Sequence, residues 1–258
     1  MQSELVLLAH RGGMSRAPEN TMVSFEQALK DGADAFECDV CLTQDKEPVM
    51  IHVDVKKNSI HEATGSLVPV SDLPWSEVKK LKMVNTNQPV PHLDQVLDFV
   101  KNTSLYCWLE PKTLSTEIID IVVNKIQRFG LVDLVGILTF YSRRDLLNHT
   151  KFLNPNIKTS VLLINPLSNF LRLVSDIGAD HVVFGWNGPN QFQFHNAMFR
   201  SFTQKVQKLK ATGIQVEGGY VQTKNDVQWL LRHGVGGLWA DDVPKIRSYA
   251  ESYFNRYM

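Results

Sequence analysis

Short apolar runs alternate with stretches of helical spacing along almost the whole chain, and no other feature limits the fold as much. The runs are Leu5 to Ala9, Phe36 to Val40, Leu105 to Glu110, Val135 to Phe140, Thr159 to Ile164, His181 to Gly185, Ile214 to Gly218 and Gly237 to Asp241. Helical patterns lie between them at Glu117 to Phe129, Arg143 to Leu153, Leu167 to Ile177, Phe199 to Ala211 and Asp226 to His233. An earlier helix opens at Asn20 or Thr21, carries Phe25, Ala28 and Leu29 on one face and stops at Gly32. Eight such units in 258 residues predict an α/β fold, a (β/α)8 TIM barrel that uses the whole chain. An open doubly wound sheet has the same alternation and is the competing architecture.

One extra run breaks the rhythm. Pro48 to His52 follows the second run after the turn Gln44-Asp45-Lys46-Glu47, a link too short for a parallel crossover, so the two runs pair as an antiparallel hairpin. Alternation along a strand sets Glu37 and Asp39 on one face and Cys38 on the other. Reflecting the chain about the turn places His52 roughly opposite Glu37. Two carboxylates beside an imidazole are the minimum equipment of a metal site with a proton-transfer partner. Residues 54 to about 104 then read as an insertion, with Thr64-Gly65, Pro69, Pro74, Pro89 and Pro91 around a short amphipathic piece near Trp75 to Leu81. Leu93 to Val100 is the helix that rejoins the main alternation.

Charge excludes some partners. Lys+Arg and Asp+Glu are both 27, so no overall field recruits nucleic acid or an anionic membrane, although a local patch can still be basic. Three cysteines, Cys38, Cys41 and Cys107, make no disulfide framework and suit a reducing compartment. Cys38-x-x-Cys41 has no second Cys or His pair to complete a zinc set. Met1-Gln2-Ser3-Glu4 lacks a basic leader, and no apolar run has the length of a transmembrane helix, so a cytoplasmic protein is the default expectation.

A barrel carries its chemistry where the strands end. His10 and Arg11 end the first run, Glu37 and Asp39 the second, and Glu110 with Lys112 the third, so these groups and His52 collect in one basin. Three carboxylates so close repel each other unless a cation sits among them. The donor set is rich in oxygen and poor in His and Cys, which favours a divalent Mg²⁺ or Ca²⁺ over zinc. Glu19 would brace the basin from its loop, and Trp186-Asn187 follow the sixth run at the same mouth. His61, His92, His149, His181, His195 and His233 read as structural or solvated. Tyr249, Tyr253, Phe254 and Tyr257 recur near helical spacing, as a cover for the barrel bottom or as a homodimer contact.

His10-Arg11-Gly12, Pro18-Glu19-Asn20-Thr21, Glu37-x-Asp39, His52 and Glu110-x-Lys112, in that order and spacing, closely resemble the glycerophosphodiester phosphodiesterase family over residues 5–52 and 105–112. The resemblance implies a phosphodiesterase barrel of the phosphatidylinositol-phospholipase type with a variable insertion. It implies that Glu37, Asp39 and Glu110 bind the divalent metal, that His10 and His52 are the acid/base pair, and that Arg11 and Lys112 lie near the substrate phosphate. The implied reaction hydrolyses a small glycerophosphodiester to glycerol 3-phosphate and an alcohol.

The departures touch substrate identity. His52 is followed by Val53, with the acid one residue later at Asp54, and Lys57-Asn58-Ser59-Ile60-His61 stands where the family has Arg-Thr-Thr. Gly219-Tyr220-Val221-Gln222 stands where the family has Trp-Thr-Val-Asn, so Phe140, Glu217 and Tyr220 are expected to reshape the pocket. The family's closing element survives as Ala240-Asp241-Asp242-Val243-Pro244. Two alternatives remain: the same barrel acting on lysophospholipids or another phosphodiester, with Val68, Leu73, Trp75 and Val78 as an apolar lip, or a non-catalytic barrel that binds a phosphate-bearing ligand.

Overall fold

Hydrogen bonding between the apolar runs closes them into a ring. The computed structural model describes residues 5–55, 59–103, 105–185 and 188–257. Met1 to Glu4, Lys57, Asn58, Trp186, Asn187 and the Tyr257 side chain, on which some of the sequence readings rest, lie outside the described residues. The strands are β1 (Val6–Ala9), β2 (Ala35–Leu42), β3 (Pro48–Met50), β4 (Tyr106–Pro111), β5 (Val135–Phe140), β6 (Thr159–Leu163), β7 (His181–Phe184), β8 (Gln215–Val221) and β9 (Gly237–Ala240). Their order is β1-β9-β8-β7-β6-β5-β4-β2-β3, and β1 also pairs with β2, joining Leu8 to Ala35. Every pairing is parallel except β2 with β3. The result is a closed eight-stranded TIM barrel, and the open-sheet alternative falls because the β1–β2 pairing leaves the ring no edge.

The strands read as continuous apolar runs because both of their faces are covered. Leu8, Ala35, Trp108, Leu138, Leu162, Val183 and Trp239 point inward and pack as one buried cluster. Their neighbours in sequence, such as Leu7, Phe36, Leu109, Ile137 and Val182, point outward and pack under the helices. Those helices are α1 (Met22–Lys30), α2 (His61–Thr64), α3 (Trp75–Val78), α4 (Leu93–Thr103), α5 (Glu117–Phe129), α6 (Arg144–Leu153), α7 (Phe170–Ile177), α8 (Asn190–Phe199), α9 (Phe202–Ala211), α10 (Lys224–Arg232) and α11 (Val243–Tyr257). Thr21 caps α1 by accepting from the Ser24 N–H, and the Ser24 hydroxyl accepts from the Thr21 N–H in return.

Several expectations shift. Leu29 is 42% exposed instead of sharing the buried face of Phe25 and Ala28, because it lies at the edge of a stripe centred on Ser24, Phe25 and Ala28. The helix expected over 199–211 is α9, which starts at Phe202, and a further helix, α8, precedes it and ends before Arg200, which adopts the left-handed φ of 49°. Arg143 sits in a 3-10 turn that precedes α6. In the hairpin, Val40 faces Met50 and Cys41 faces Val49, so continuing that register brings His52 level with Cys38 instead of Glu37.

Beyond β3 the chain builds a separate buried cluster of Cys41, Val49, Ile51, Val53, Ile60, Ala63, Val70, Val78, Met83 and Val90, with Leu73, Trp75 and Leu81 packed against it. Three members of the expected apolar lip are thereby spent: Val78 is fully buried, and Leu73 and Trp75 pack on the same cluster. Cys38, Cys41 and Cys107 are free and buried, with Cys38 Sγ 3.9 Å from Cys107 Sγ across β2 and β4.

Candidate active site

At the end of β1 the chain makes a single turn, His10–Gly12, in which Arg11 has φ 49°. Gly12 continues at φ 82°, and a Cβ there would collide with the Ser24 side chain, so glycine is required for the turn to lie against α1. The turn lays His10 and Arg11 across the barrel mouth. Inside the mouth, β2 presents Glu37 and Asp39 one layer apart, and the β2–β4 register places Asp39 level with Glu110. Carboxylate oxygens of Glu37, Asp39 and Glu110 all lie within 4.8 Å of one another, and the three residues are buried.

Cations from the chain surround this cluster unevenly. Lys112 Nζ lies 2.8 Å from Asp39 Oδ1 and 2.8 Å from Glu110 Oε2, while Arg143 Nη2 holds Glu110 Oε1. Arg11 Nε is 3.2 Å from Asp39 Oδ2, its Nη1 is 2.7 Å from Glu19 Oε2, and its backbone N–H donates to Glu37 Oε2 at 3.0 Å. Burial works against the charged form of Asp39, yet Lys112 and Arg11 override it and hold the carboxyl well below its ordinary range. Burial also opposes the charge on Lys112, but Asp39, Glu110 and Glu37 raise its pKa above the ordinary lysine value.

Glu37 is the exception. Burial first, then the Asp39 and Glu110 charges, push its carboxyl well above the usual range, and Oε1 is buried without a hydrogen-bond partner among the described residues. An orphaned carboxylate oxygen costs stability unless something outside the chain satisfies it. A divalent cation fits, because it supplies the charge the cluster lacks next to oxygen donors already gathered.

The histidines stand at two edges of the basin. His10 Nδ1 lies 2.7 Å from Asp241 Oδ1, where the carboxylate accepts a hydrogen bond from Nδ1–H and turns Nε2 toward Glu37, 4.0 Å from Oε2. The ring also stacks on Tyr220, with centroids 3.7 Å apart. His52 is half-buried and lines a cleft of about 310 Å³ with Asp54, Ser59, His61, Glu62 and Leu67. Burial lowers its pKa, Asp39 opposes the shift, and Arg11 and Lys112 reinforce it.

Not every expected residue reaches this mouth. Tyr220 and Glu19 do, through His10 and Arg11, and Phe140 lies under Arg143, whose guanidinium is 5.4 Å from its ring centre. Glu217 does not. It turns toward the other end of the barrel, where His181 Nδ1 meets its Oε1 at 2.7 Å and Trp239 Nε1 donates to its Oε2 at 2.6 Å. Gly219 is small for a local reason: a Cβ there would lie 2.9 Å from Cβ of Trp239.

Three partners were missed from the sequence. Asn20 donates to Asp39 Oδ2 at 2.8 Å and accepts from its N–H at 2.9 Å, Asp241 orients His10, and Arg143 holds Glu110. Asp241 had a signal, since it ends the last strand run; Arg143 had none, being one of two adjacent arginines in a turn.

The fold and this basin together define a barrel enzyme of the phosphodiesterase type, with an acidic cluster, flanking cations and two edge histidines at the C-terminal mouth. The profile of the glycerophosphoryl diester phosphodiesterase family matches residues 10–245, and the chain belongs to that family. It is 26% identical over 252 residues to a glycerophosphodiester phosphodiesterase of Caldanaerobacter subterraneus subsp. tengcongensis, spanning 92% of this chain and 94% of that protein. It is 30% identical over 254 residues to the uncharacterized protein YqiK of Bacillus subtilis, spanning 91% and 94%. Among solved structures, an Oleispira antarctica phosphodiesterase in complex with the product sn-glycerol-3-phosphate superposes with a TM-score of 0.79 at 22% identity, covering 95% of this chain and 96% of that one. The Thermotoga maritima glycerophosphodiester phosphodiesterase superposes with a TM-score of 0.76 at 20% identity, covering 96% and 99%. These two likenesses carry the fold.

Proposed function

We propose that the chain hydrolyses glycerophosphodiesters to glycerol 3-phosphate and an alcohol, with a divalent cation, Mg²⁺ or Ca²⁺, held by Glu37, Asp39 and Glu110 and with His10 and His52 moving the protons. The observation that carries this reading is the buried cluster of three carboxylates with an unsatisfied Glu37 Oε1, faced by a histidine whose Nε2 is turned toward Glu37 by Asp241. The cation, when bound, withdraws charge from the phosphoryl oxygens as the transition state forms.

The side chains supply the rest. Arg11 and Lys112 are kept positive by Asp39 and its neighbours, so they can share the charge of a phosphodiester bound over the mouth. His10 and His52, at two edges of the basin, suit general acid/base work when one ring enters the cycle neutral and the other protonated, each contributing roughly 10²- to 10⁴-fold. One takes the proton of the glycerol 2-hydroxyl as that oxygen attacks phosphorus, and the other gives a proton to the departing alkoxide. Water then opens the cyclic phosphate with the roles exchanged.

The test is release of glycerol 3-phosphate from glycerophosphocholine and glycerophosphoethanolamine by chelator-treated protein, with and without Mg²⁺ or Ca²⁺. Metal-dependent release is expected from at least one of the two. Hydrolysis of generic phosphodiesters alone would overturn the substrate class, and inertness toward both kinds under every metal would overturn the reaction.

A further inference from the structure

α8 is an extra helix in the barrel pattern. α9 already supplies the return to β8, burying Phe202, Val206 and Leu209, whereas α8 buries only Phe192. The rest of α8 meets the loop after β6, and together they line an open groove of about 510 Å³ whose apolar members are Pro166, Leu167, Phe194, Met198 and Phe199. Leu167 is 71% exposed, Phe194 72%, Met198 64%, Phe199 60% and the adjoining Ile164 49%. Such exposure in neighbouring large side chains marks an interaction surface, since monomeric soluble surfaces rarely cluster them.

Position and charge narrow the partner. The loop after β6 and the segment entering α8 both leave the C-terminal ends of their strands, the end where the acidic basin opens. A Cβ built on Gly188, just before α8, would lie 3.7 Å from the Tyr220 carbonyl, so the start of α8 runs beside Tyr220, which stacks on His10. Residues 181–216 contain no Asp or Glu, and the carboxylate that meets α8 is Asp226, which accepts from Gln193 at 3.1 Å. Arg200 is exposed beside Phe199, and Lys205 Nζ donates to the Pro166 and Ser168 carbonyls of the loop at 2.8 and 3.4 Å. Arg172, exposed on α7 beside the loop, adds a third cation that its Asp176 neighbour meets only at 3.7 Å.

We propose that this rim docks the protein peripherally on an anionic lipid surface, with Leu167, Phe194, Met198 and Phe199 entering the headgroup boundary and Arg200 and Arg172 facing the lipid phosphates. Exposed aromatic and aliphatic side chains flanked by Lys and Arg are the composition that binds such surfaces, and no helix among the described residues is long and apolar enough to cross a membrane. A second copy would have to bury the same face, and the oligomeric state in solution distinguishes it. The inference goes beyond the proposed reaction and does not depend on it.

Co-sedimentation of the full chain with phosphatidylcholine vesicles, with and without phosphatidylglycerol, tests it without reference to turnover. Wild type is expected to sediment with the anionic vesicles and to be released by salt. The triple variant Phe194→Ser, Met198→Ser, Phe199→Ser should lose at least about tenfold in binding, since each side chain removes a buried apolar contact with lipid. Arg200→Glu with Arg172→Glu should abolish the preference for phosphatidylglycerol. Circular dichroism and the thermal midpoint check that both variants are folded, and the charge variant serves if the triple variant is not. Failure of wild type to bind either vesicle, equal binding by all folded variants, or a dimer in solution that the triple variant dissolves would each overturn the proposal.

Discussion

Both ends of this barrel bury a carboxylate beside a histidine, and the two ends treat them oppositely. At the N-terminal end Glu217 is finished: His181 satisfies one oxygen and Trp239 the other, and Trp108 covers His181 edge-on at 4.9 Å. At the C-terminal end three carboxylates share one basin, and Glu37 keeps an oxygen that no described residue satisfies. Backbone strain is divided the same way, with Arg11 at φ 49° and Asn20 at φ 54° beside the open basin. A buried ionisable group alone is therefore no sign of chemistry in this fold. The sign is a group that the protein gathers at some cost and then leaves incomplete.

The sharpest way to break this contrast is Glu37→Gln. It should abolish the response to Mg²⁺ or Ca²⁺ in calorimetry and lower turnover by about 10³-fold or more; unchanged metal binding would remove Glu37 from the ligand set. His52→Ala comes next, with an expected loss of at least about 10²-fold and a normal circular dichroism spectrum. A wild-type rate would end its assignment as a proton carrier. Glu217→Gln sharpens the contrast from the other end. It should cost about 1–3 kcal/mol in urea unfolding, because the paired groups around it lose a charged partner, while turnover stays within about twofold of wild type. If it silences turnover in a folded protein instead, the two ends are coupled and the division fails.

The smallest effect concerns pH. Burial lowers the His52 pKa, so on acidification the unfolded chain takes up that proton before the folded one does. Stability from this group is thus present at neutral pH and lost as pH falls through the unfolded value of about 6.5 toward the folded one. Urea midpoints on either side of that value should fall less for His52→Gln than for wild type, and parallel declines would show that the ring is not buried at a cost.

The barrel was legible because alternation survives in each strand, and so were the groups at strand ends, since His10, Asp39 and Glu110 need only a strand boundary to be placed. Arg143 was not legible, because its pairing with Glu110 depends on how the 3-10 turn after β5 leans over the mouth. Glu217 was misplaced by adjacency: Tyr220 beside it in sequence does reach His10, but the irregular register between Gly218 and Val221 shifts the layers of β8, and Glu217 stays below. The lip was sought in residues 54–104, where Leu73, Trp75 and Val78 pack on one cluster and Val68 stays exposed, whereas the exposed side chains of α8 lie in a stretch to which periodicity assigned no helix.

His52 differs from its partners in what holds it. His10, Glu37, Asp39 and Glu110 sit on or at the ends of strands in the closed ring, whereas His52 lies two residues past β3, on an arm joined to the ring by a three-residue strand and packed on a cluster of its own. An arm so attached can open locally while the ring stays closed. Heat would then silence the enzyme before it melts the barrel. On a longer timescale, sequence drift in the arm can reshape the cleft around His52 while leaving the acidic basin untouched.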